Sequence, residues 1–435
     1  MTPGAALSAN SALPVPDAQA WQGGWRDGLS YGGLGLPLAF VALPLYVVLP
    51  NHYATVLGVP LAWLGGVLLV ARLLDAVIDP LIGRWADALF ARSARQAWRV
   101  AAVFALLLAI GFHALFFPPL EGSVARLVWC AALLIVTTLS YSVISIVHQA
   151  WAARLGGDEA QRAKIVAWRE SLALVGVLVA SVLPSVLGLS VTTAVFAVAL
   201  LAGMALLSRA PRPAASEHNP HAVSVASPFA TPAFRRLLAI YLVNGIASAV
   251  PATLVLFFIR DRLQAASMEP LFLASYFAAA ALSIPVWVRA VAHWGLARCW
   301  LAGMGLGIAV FMWAAGLGSG DVAAFLIVCV ASGVALGADL TLPGALLAGV
   351  IQQAGHCGRF EGAYFGWWNF ATKLNLALAA GVSLPLLQAF GYAPGSHNAQ
   401  GLAALTITYC ALPCVLKLAA AALLYTQWIR PLKGI

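Results

Sequence analysis

Apolar residues run through this chain in long blocks, broken at intervals by short clusters of charge, glycine and proline. The charge-free stretches are Gly28–Ala71, Ala101–Leu120, Leu127–Ala153, Ser171–Ser208, Leu237–Ile259, Leu271–Val288, Cys299–Gly320, Val322–Ala338, Leu340–Gly358, Gly362–Thr372 and Leu374–Leu416. A helix crosses the hydrocarbon core of a bilayer with about 20 apolar residues. Several stretches therefore hold two crossings with a turn between them. Asn51, His52 and Tyr53, just after Pro50, split the first; Pro184 and Gly188 split the fourth; the Gly391–Gln400 segment, rich in Gly, Pro, Ser and Asn, splits the last. The pattern predicts spans at 29–50, 58–84, 99–118, 124–154, 165–186, 189–208, 234–262, 269–291, 299–318, 322–351, 362–390 and 401–430.

Composition agrees. Of 435 residues, 62% are hydrophobic and 9% charged, against about 25% charged in a soluble domain. So few charges cannot cover a water-soluble fold of this size, which excludes an ordinary soluble enzyme, a secreted disulfide scaffold and a disordered chain. The expected fold class is an all-α polytopic membrane protein with 12 transmembrane helices. Its longest polar segment, Arg209–Pro232, lies near the midpoint with six spans on each side. That 6+6 layout is the major-facilitator fold, two six-helix bundles joined by a central loop. The expected parts are a disordered cytoplasmic tail at 1–28, bundles at 29–208 and 234–435, and a cytoplasmic loop at 209–233.

The net charge of +9 takes its meaning from topology. With twelve crossings, 17 of the 24 Lys and Arg residues fall on the side that bears both termini; only Arg126, Arg260 and Arg262 fall on the other. The positive-inside rule makes that side cytoplasmic, so the basic excess orients the chain in the cell's inner (plasma) membrane and gives no reason to expect a nucleic-acid partner. The six cysteines offer no extracellular pair, and residues 1–28 lack the basic region and apolar run of a signal peptide.

A charge at the bilayer centre costs about 2.5–3.5 kcal/mol on insertion scales, so each intramembrane charge needs a reason. In span 2, steps of three and four put Arg72, Asp75, Asp79 and Gly83 on one helix face. Two carboxylates one turn apart share a proton, pair with a base, or bind a cation through their oxygens. Arg72 is one expected charge partner. Lys373 in span 11 is the other, on a face with Asn369, Gly366 and Gly362. Span 4 carries a polar stripe of Thr138, Ser142, Ser145 and Gln149; span 5 opens with Trp168, Arg169 and Glu170, one of which must point inward; span 7 carries Tyr241, Asn244 and Ser248; and span 10 contains Asp339. Ser145, Gln149, Arg169, Asn244, Asn369 and one of Trp367 and Trp368 are candidates to line a solute cavity, with Trp368 preferred. Gly83, Asp87 and Arg92, at the turn after span 2, are expected to form a cytoplasmic gate. No metalloprotease, phosphate-loop or nucleophile motif appears, so nothing argues for catalysis or a cofactor.

The string Arg72-Leu-Leu-Asp75-Ala-Val-Ile-Asp79-Pro80-Leu-Ile-Gly83 resembles the glycoside–pentoside–hexuronide:cation symporter family. Weaker matches are Leu29 to Gly32, Asn244 with Ala247 and Ser248, and Arg359 through Tyr364 to Lys373. The resemblance implies that Asp75 and Asp79 form the cation site with help from Ser142. It also implies that Lys373 pairs with them when the cation is absent, and that Arg169 faces the solute. Its departures are Ala39 and Ser145 in place of the family's sugar-gripping aspartates, Gln149 in place of an aromatic platform, and Ile78 where a member has asparagine beside its ion site. The expected function is cation-coupled symport, with Na⁺ or H⁺, of a small polar and sugar-like solute by a monomer embedded in lipid. A lipid, lysolipid or amphiphile transporter of the same fold, and an uncoupled facilitator or exporter, stand as alternatives.

Overall fold

The computed structural model describes residues 21–213, 224–393, 395 and 398–430, and among them there is no strand. Long apolar runs in lipid must satisfy every backbone N–H and C=O internally, so they become helices. In chain order these are α1 Trp25–Thr55, α2 Leu61–Arg92, α3 Ala94–Phe116, α4 Ser123–Arg154, α5 and α6 within Glu159–Leu207, α7 Pro232–Arg262, α8 Glu269–Trp294, α9 Leu296–Ala314, α10 Val322–Gln353, α11 Glu361–Ala389 and α12 Ala399–Ile429. Helix α1 loosens into a π-turn at Pro44–Val48, and α12 does so at Ile407–Ala411, just ahead of Pro413. Gly188, with φ 77° and ψ 172°, is non-helical and divides α5 (159–187) from α6 (189–207); only glycine adopts such a conformation cheaply. Ten helical runs qualify as membrane spans by length and composition. The charge-bearing α2 and the division at Gly188 bring the described residues to the twelve helices of the major-facilitator layout.

Several helices outrun the expected spans. Helix α3 starts at Ala94 rather than 99, where Ser93 Oγ accepts the Gln96 N–H at 3.0 Å. Helix α5 starts at Glu159 rather than 165, where Asp158 accepts the Gln161 N–H at 2.7 Å. Clusters of arginine mark where lipid ends, not where a helix ends, and N-cap side chains set the true starts. The first helix likewise begins at Trp25, inside the segment expected to be a disordered tail. Residues 1–20, and 214–223 of the expected central loop, lie outside the described residues.

One buried core fills the interior of α1–α6 and a second fills much of α7–α12. A third joins Ala153, Ala163, Val166, Ala167 and Leu174 of the first half to residues of the second, and so forms the seam between bundles. Across that seam α2 lies along α11, and α5 lies against α8 and α10. The α2–α11 crossing is backbone on backbone. A Cβ on Gly83 would sit 2.1 Å from the Gly362 carbonyl oxygen, and one on Gly362 would sit 2.2 Å from that of Gly83. Small residues permit such an approach.

Candidate functional site

The seam encloses a cavity of about 360 Å³, within the range of about 300–1,000 Å³ usual for small-molecule sites. Ser142, Ser145, Gln149, Arg169, Trp368, Asn369 and Lys373 all line it, so α4 and α5 of one bundle and α11 of the other converge there as their spacing predicts. Of the two adjacent tryptophans, Trp368 faces the cavity and stacks on Tyr241 with ring centroids 3.8 Å apart. Trp367 turns away and donates to the Val225 carbonyl at 2.8 Å.

At one wall of the cavity the intramembrane charges meet. Lys373 Nζ lies 2.8 Å from Asp75 Oδ2 and 2.7 Å from Asp79 Oδ2, and donates to Ser142 Oγ at 2.9 Å. Ser142 in turn donates to Asp75 Oδ1 at 2.8 Å. Asp79 is fully buried, and its Oδ1 has no hydrogen-bond partner among the described residues. A small void of about 40 Å³ lies against Asp75, lined also by Tyr46, Thr138 and Tyr141. Two acids of the first bundle thus share one ammonium of the second.

Arg72 does not join them. Its guanidinium sits over the Tyr46 ring, 4.3 Å from the centroid, while the ion pairs of both acids go to Lys373. The shared helix face was correct, but a long side chain three residues away follows the neighbouring aromatic, whose π face attracts a cation. Without Arg72 the cluster of Asp75, Asp79 and Lys373 sums formally to −1.

Asn244 also departs from expectation. It is buried inside the second bundle, donates to Asp339 Oδ1 at 3.0 Å and accepts from Lys417 Nζ at 2.9 Å. Ser248 and Trp300 also donate to Asp339, and Lys417 is 2.7 Å from its Oδ2. Every lone-pair position of that carboxylate is filled. Asp339 stands between the central cavity and a second, mostly apolar one of about 140 Å³. This closed network ties α7, α9, α10 and α12 together. Lys417→Met is expected to leave Asp339 buried without its counter-charge, costing about 3–5 kcal/mol. A melting temperature unchanged from that of the wild-type protein, in the same detergent, would refute this.

At the end of α2, where Gly83, Asp87 and Arg92 were expected to form a gate, Asp87 is held by a different arginine. Asp87 Oδ1 and Oδ2 accept the backbone N–H groups of Gly362 and Ala363 at 2.7 and 2.8 Å, at the start of α11. Arg154 at the end of α4 lies 2.9 Å from both Asp87 and Glu361 and donates to the Gly358 carbonyl at 2.8 Å. Arg92 ends the same helix as Asp87, exposed, and is not its ion-pair partner. An acid at a helix N-terminus meets both unpaired N–H groups and the positive end of the dipole. Together with Gly83 against Gly362, these contacts pin α2 and α4 to the start of α11, on the face where α2, α4 and α10 end.

Arg154, Glu361, Glu170, Tyr241 and Lys417 are the residues that sequence reasoning left without a role. Arg154 was visible only as one of many basic residues at helix ends. Glu361 was visible only as part of a matching string.

A seam between two bundles, a central cavity between them and charges shared across it form a candidate solute site. Residues 29–430 match the family described as MFS/sugar transport protein, where MFS is the major facilitator superfamily. The chain belongs to that family, as the resemblance in span 2 implied, and is a multi-pass integral membrane protein. Among curated proteins of Escherichia coli (strain K12), the chain is 27% identical over 161 residues to the inner membrane symporter YicJ. It is 28% identical over 160 residues to the putative glycoside/cation symporter YagG. Each match covers 36% of this chain and 34% of the relative, about a third of its length. In fold the chain is similar to a bacterial homologue of the iron transporter ferroportin in an outward-facing state. The TM-score is 0.67 at 16% identity, over 91% of this chain and 99% of that one. It is also similar to the E. coli fucose:proton symporter FucP (TM-score 0.64, 12% identity, 91% and 97% coverage).

Proposed function

We propose that this protein is a cation-coupled symporter of a small polar, sugar-like solute, working as a monomer in the inner membrane with both termini in the cytoplasm. The observation that carries the reading is Lys373 of one bundle bonded to Asp75 and Asp79 of the other at the cavity wall. With a formal charge of −1, the cluster accepts one Na⁺ or H⁺ to become neutral. A bound cation competes with Lys373 for the carboxylates, most directly through the unpartnered Oδ1 of Asp79. It thereby loosens the bond between bundles and frees Lys373 and Ser142 to rearrange beside Ser145, Gln149 and Arg169. Solute affinity then rises, and linkage requires the solute to raise cation affinity by the same factor, typically 5- to 150-fold (about 1–3 kcal/mol).

The hydrogen-bonding groups placed around the cavity favour a sugar-like solute over an amphiphile. Hydroxyl, amide and guanidinium groups from three helices converge on the cavity beside one aromatic stack, as a polyhydroxy ring requires. The symporter names of the relatives support the same reading. The test is uptake of a radiolabelled glycoside panel into right-side-out vesicles under an imposed sodium or proton gradient. Accumulation above the external concentration, driven by one of the two gradients, is the expected result. Equilibration that ignores both gradients would make the protein a facilitator.

A further inference from the structure

Glu170 lines the central cavity, yet it is neither part of the cation cluster nor one of the residues that the family resemblance assigns. Its neighbour Arg169 donates to it from both Nε and Nη2, and both bonds fall on Oε1. Oε2 accepts no bond among the described residues, and unlike the orphaned oxygen of Asp79 it is not sealed from solvent. The result is a carboxylate held by one oxygen and open through the other. Residues 168–170 are also rigidly seated. A Cβ on Gly32 would lie 2.7 Å from the Trp168 carbonyl oxygen, and one on Gly35 would lie 2.5 Å from that of Arg169. Backbone packed this closely on α1 fixes where both side chains start, and the bonds between them hold where they end, the pre-organisation that a binding group needs.

Most other charged groups of the cavity are already engaged. Lys373 faces Asp75 and Asp79, and Asp339 is saturated by four donors. Arg162 bonds only neutral acceptors, the Gly157 carbonyl and Gln352 toward the gate, and its Nε has no partner among the described residues. The free acceptor on Glu170 is anionic, and the cation beside it, Arg169, is already paired. An acidic solute would meet repulsion there, whereas a neutral polyol would meet a strong acceptor beside an aromatic face. We infer that Glu170 is the hydroxyl-gripping carboxylate of the solute site, and that the solute is a neutral glycoside lying against Trp368 and Tyr241. The inference rests on the sugar-like reading above and deepens it. It also places the gripping acid on α5, in a chain that has Ala39 and Ser145 where the family's aspartates stand.

The test uses the full chain in nanodiscs and titrates methyl glycosides of glucose, galactose and xylose, with methyl glucuronide and lysophosphatidylcholine alongside, by tryptophan fluorescence. A neutral glycoside should bind the wild type more tightly than the glucuronide. Glu170→Gln should weaken it by about 10- to 100-fold, the range for a hydrogen bond to a charged group. Monodeoxy analogues of the best glycoside add the decisive comparison. One hydroxyl should matter in the wild type and cease to matter in Glu170→Gln, a coupling that a merely structural pair with Arg169 would not produce. Should that variant not fold, Glu170→Asp keeps the charge and should lose part of the same hydroxyl dependence. Unchanged affinity in Glu170→Gln, tighter glucuronide binding, or a wild type indifferent to every single hydroxyl overturns the assignment while the symport reading stands. A wild type that binds the lysolipid, or nothing in the sugar panel, overturns the sugar reading and this inference with it.

Discussion

Asp79→Asn is expected to abolish gradient-driven accumulation while preserving solute exchange across the membrane. Asp79 is fully buried, carries an oxygen without a partner, and shares Lys373 with Asp75. Replacing it with a neutral amide changes the cluster from −1 to zero, the charge that the cation would otherwise confer. The variant is thereby held in the state that the cation normally induces. Its accumulation ratio should fall to about one, and the 5- to 150-fold effect of cation on solute affinity should vanish in both directions. Asp75→Asn should behave alike but lose more stability, because Asp75 also accepts from Ser142 at 2.8 Å. Lys373→Met differs in sign. It leaves two carboxylates in contact distance of the same vacated position, a loss of about 3–5 kcal/mol for a broken buried pair, and should make folding itself depend on sodium or low pH. The measurement is uptake under imposed gradients for wild type and each variant, with thermal melts in parallel. Full accumulation in both aspartate variants would show that the acids are structural and that coupling lies elsewhere.

The proposed coupling arm was readable from the sequence because periodicity carried it. Steps of four residues put Asp75, Asp79 and Gly83 on one face, and the cost of an unpaired charge in lipid demanded that Lys373 meet them. The same arithmetic failed for Arg72, since spacing fixes where a Cα points but not where a long, flexible side chain ends. Tyr46, 26 positions earlier on another helix, decided that. Asn244 failed for a related reason. A polar residue in a span faces either the cavity or a partner inside its own bundle, and Lys417 with Asp339 supplied the partner. Arg154 was hidden because a basic residue at a helix end looks the same whether it faces water or two buried acids. Glu170 was hidden because only coordinates reveal which oxygen of a carboxylate is left free.

Gly83→Ala should open the gate. In the observed arrangement an added Cβ would fall 2.1 Å from the Gly362 carbonyl oxygen and 2.8 Å from its carbon, and backbone cannot yield as a flexible side chain does. Overpacking of this kind costs about 1–3 kcal/mol, a shift of about 5- to 150-fold in an equilibrium. Only the closed conformation makes the contact, so the whole cost falls on it and populates the state open at this face. Asp87→Asn should act in the same direction, because an amide cannot accept both N–H groups at the start of α11 as a carboxylate does. It would also leave Arg154 to Glu361 alone. A cysteine placed at Ala348, which lines the gate end of the cavity on α10, reports the change. Its labelling by a membrane-impermeant maleimide in inside-out vesicles should accelerate in both variants, measured above the background of the same variants with Ala348 intact. Labelling from the opposite face should slow in step, since alternating access exchanges one opening for the other. Rates unchanged at both faces would mean that the α2–α11 crossing is a fixed joint, and that the gate must be sought at the α5–α8 seam instead.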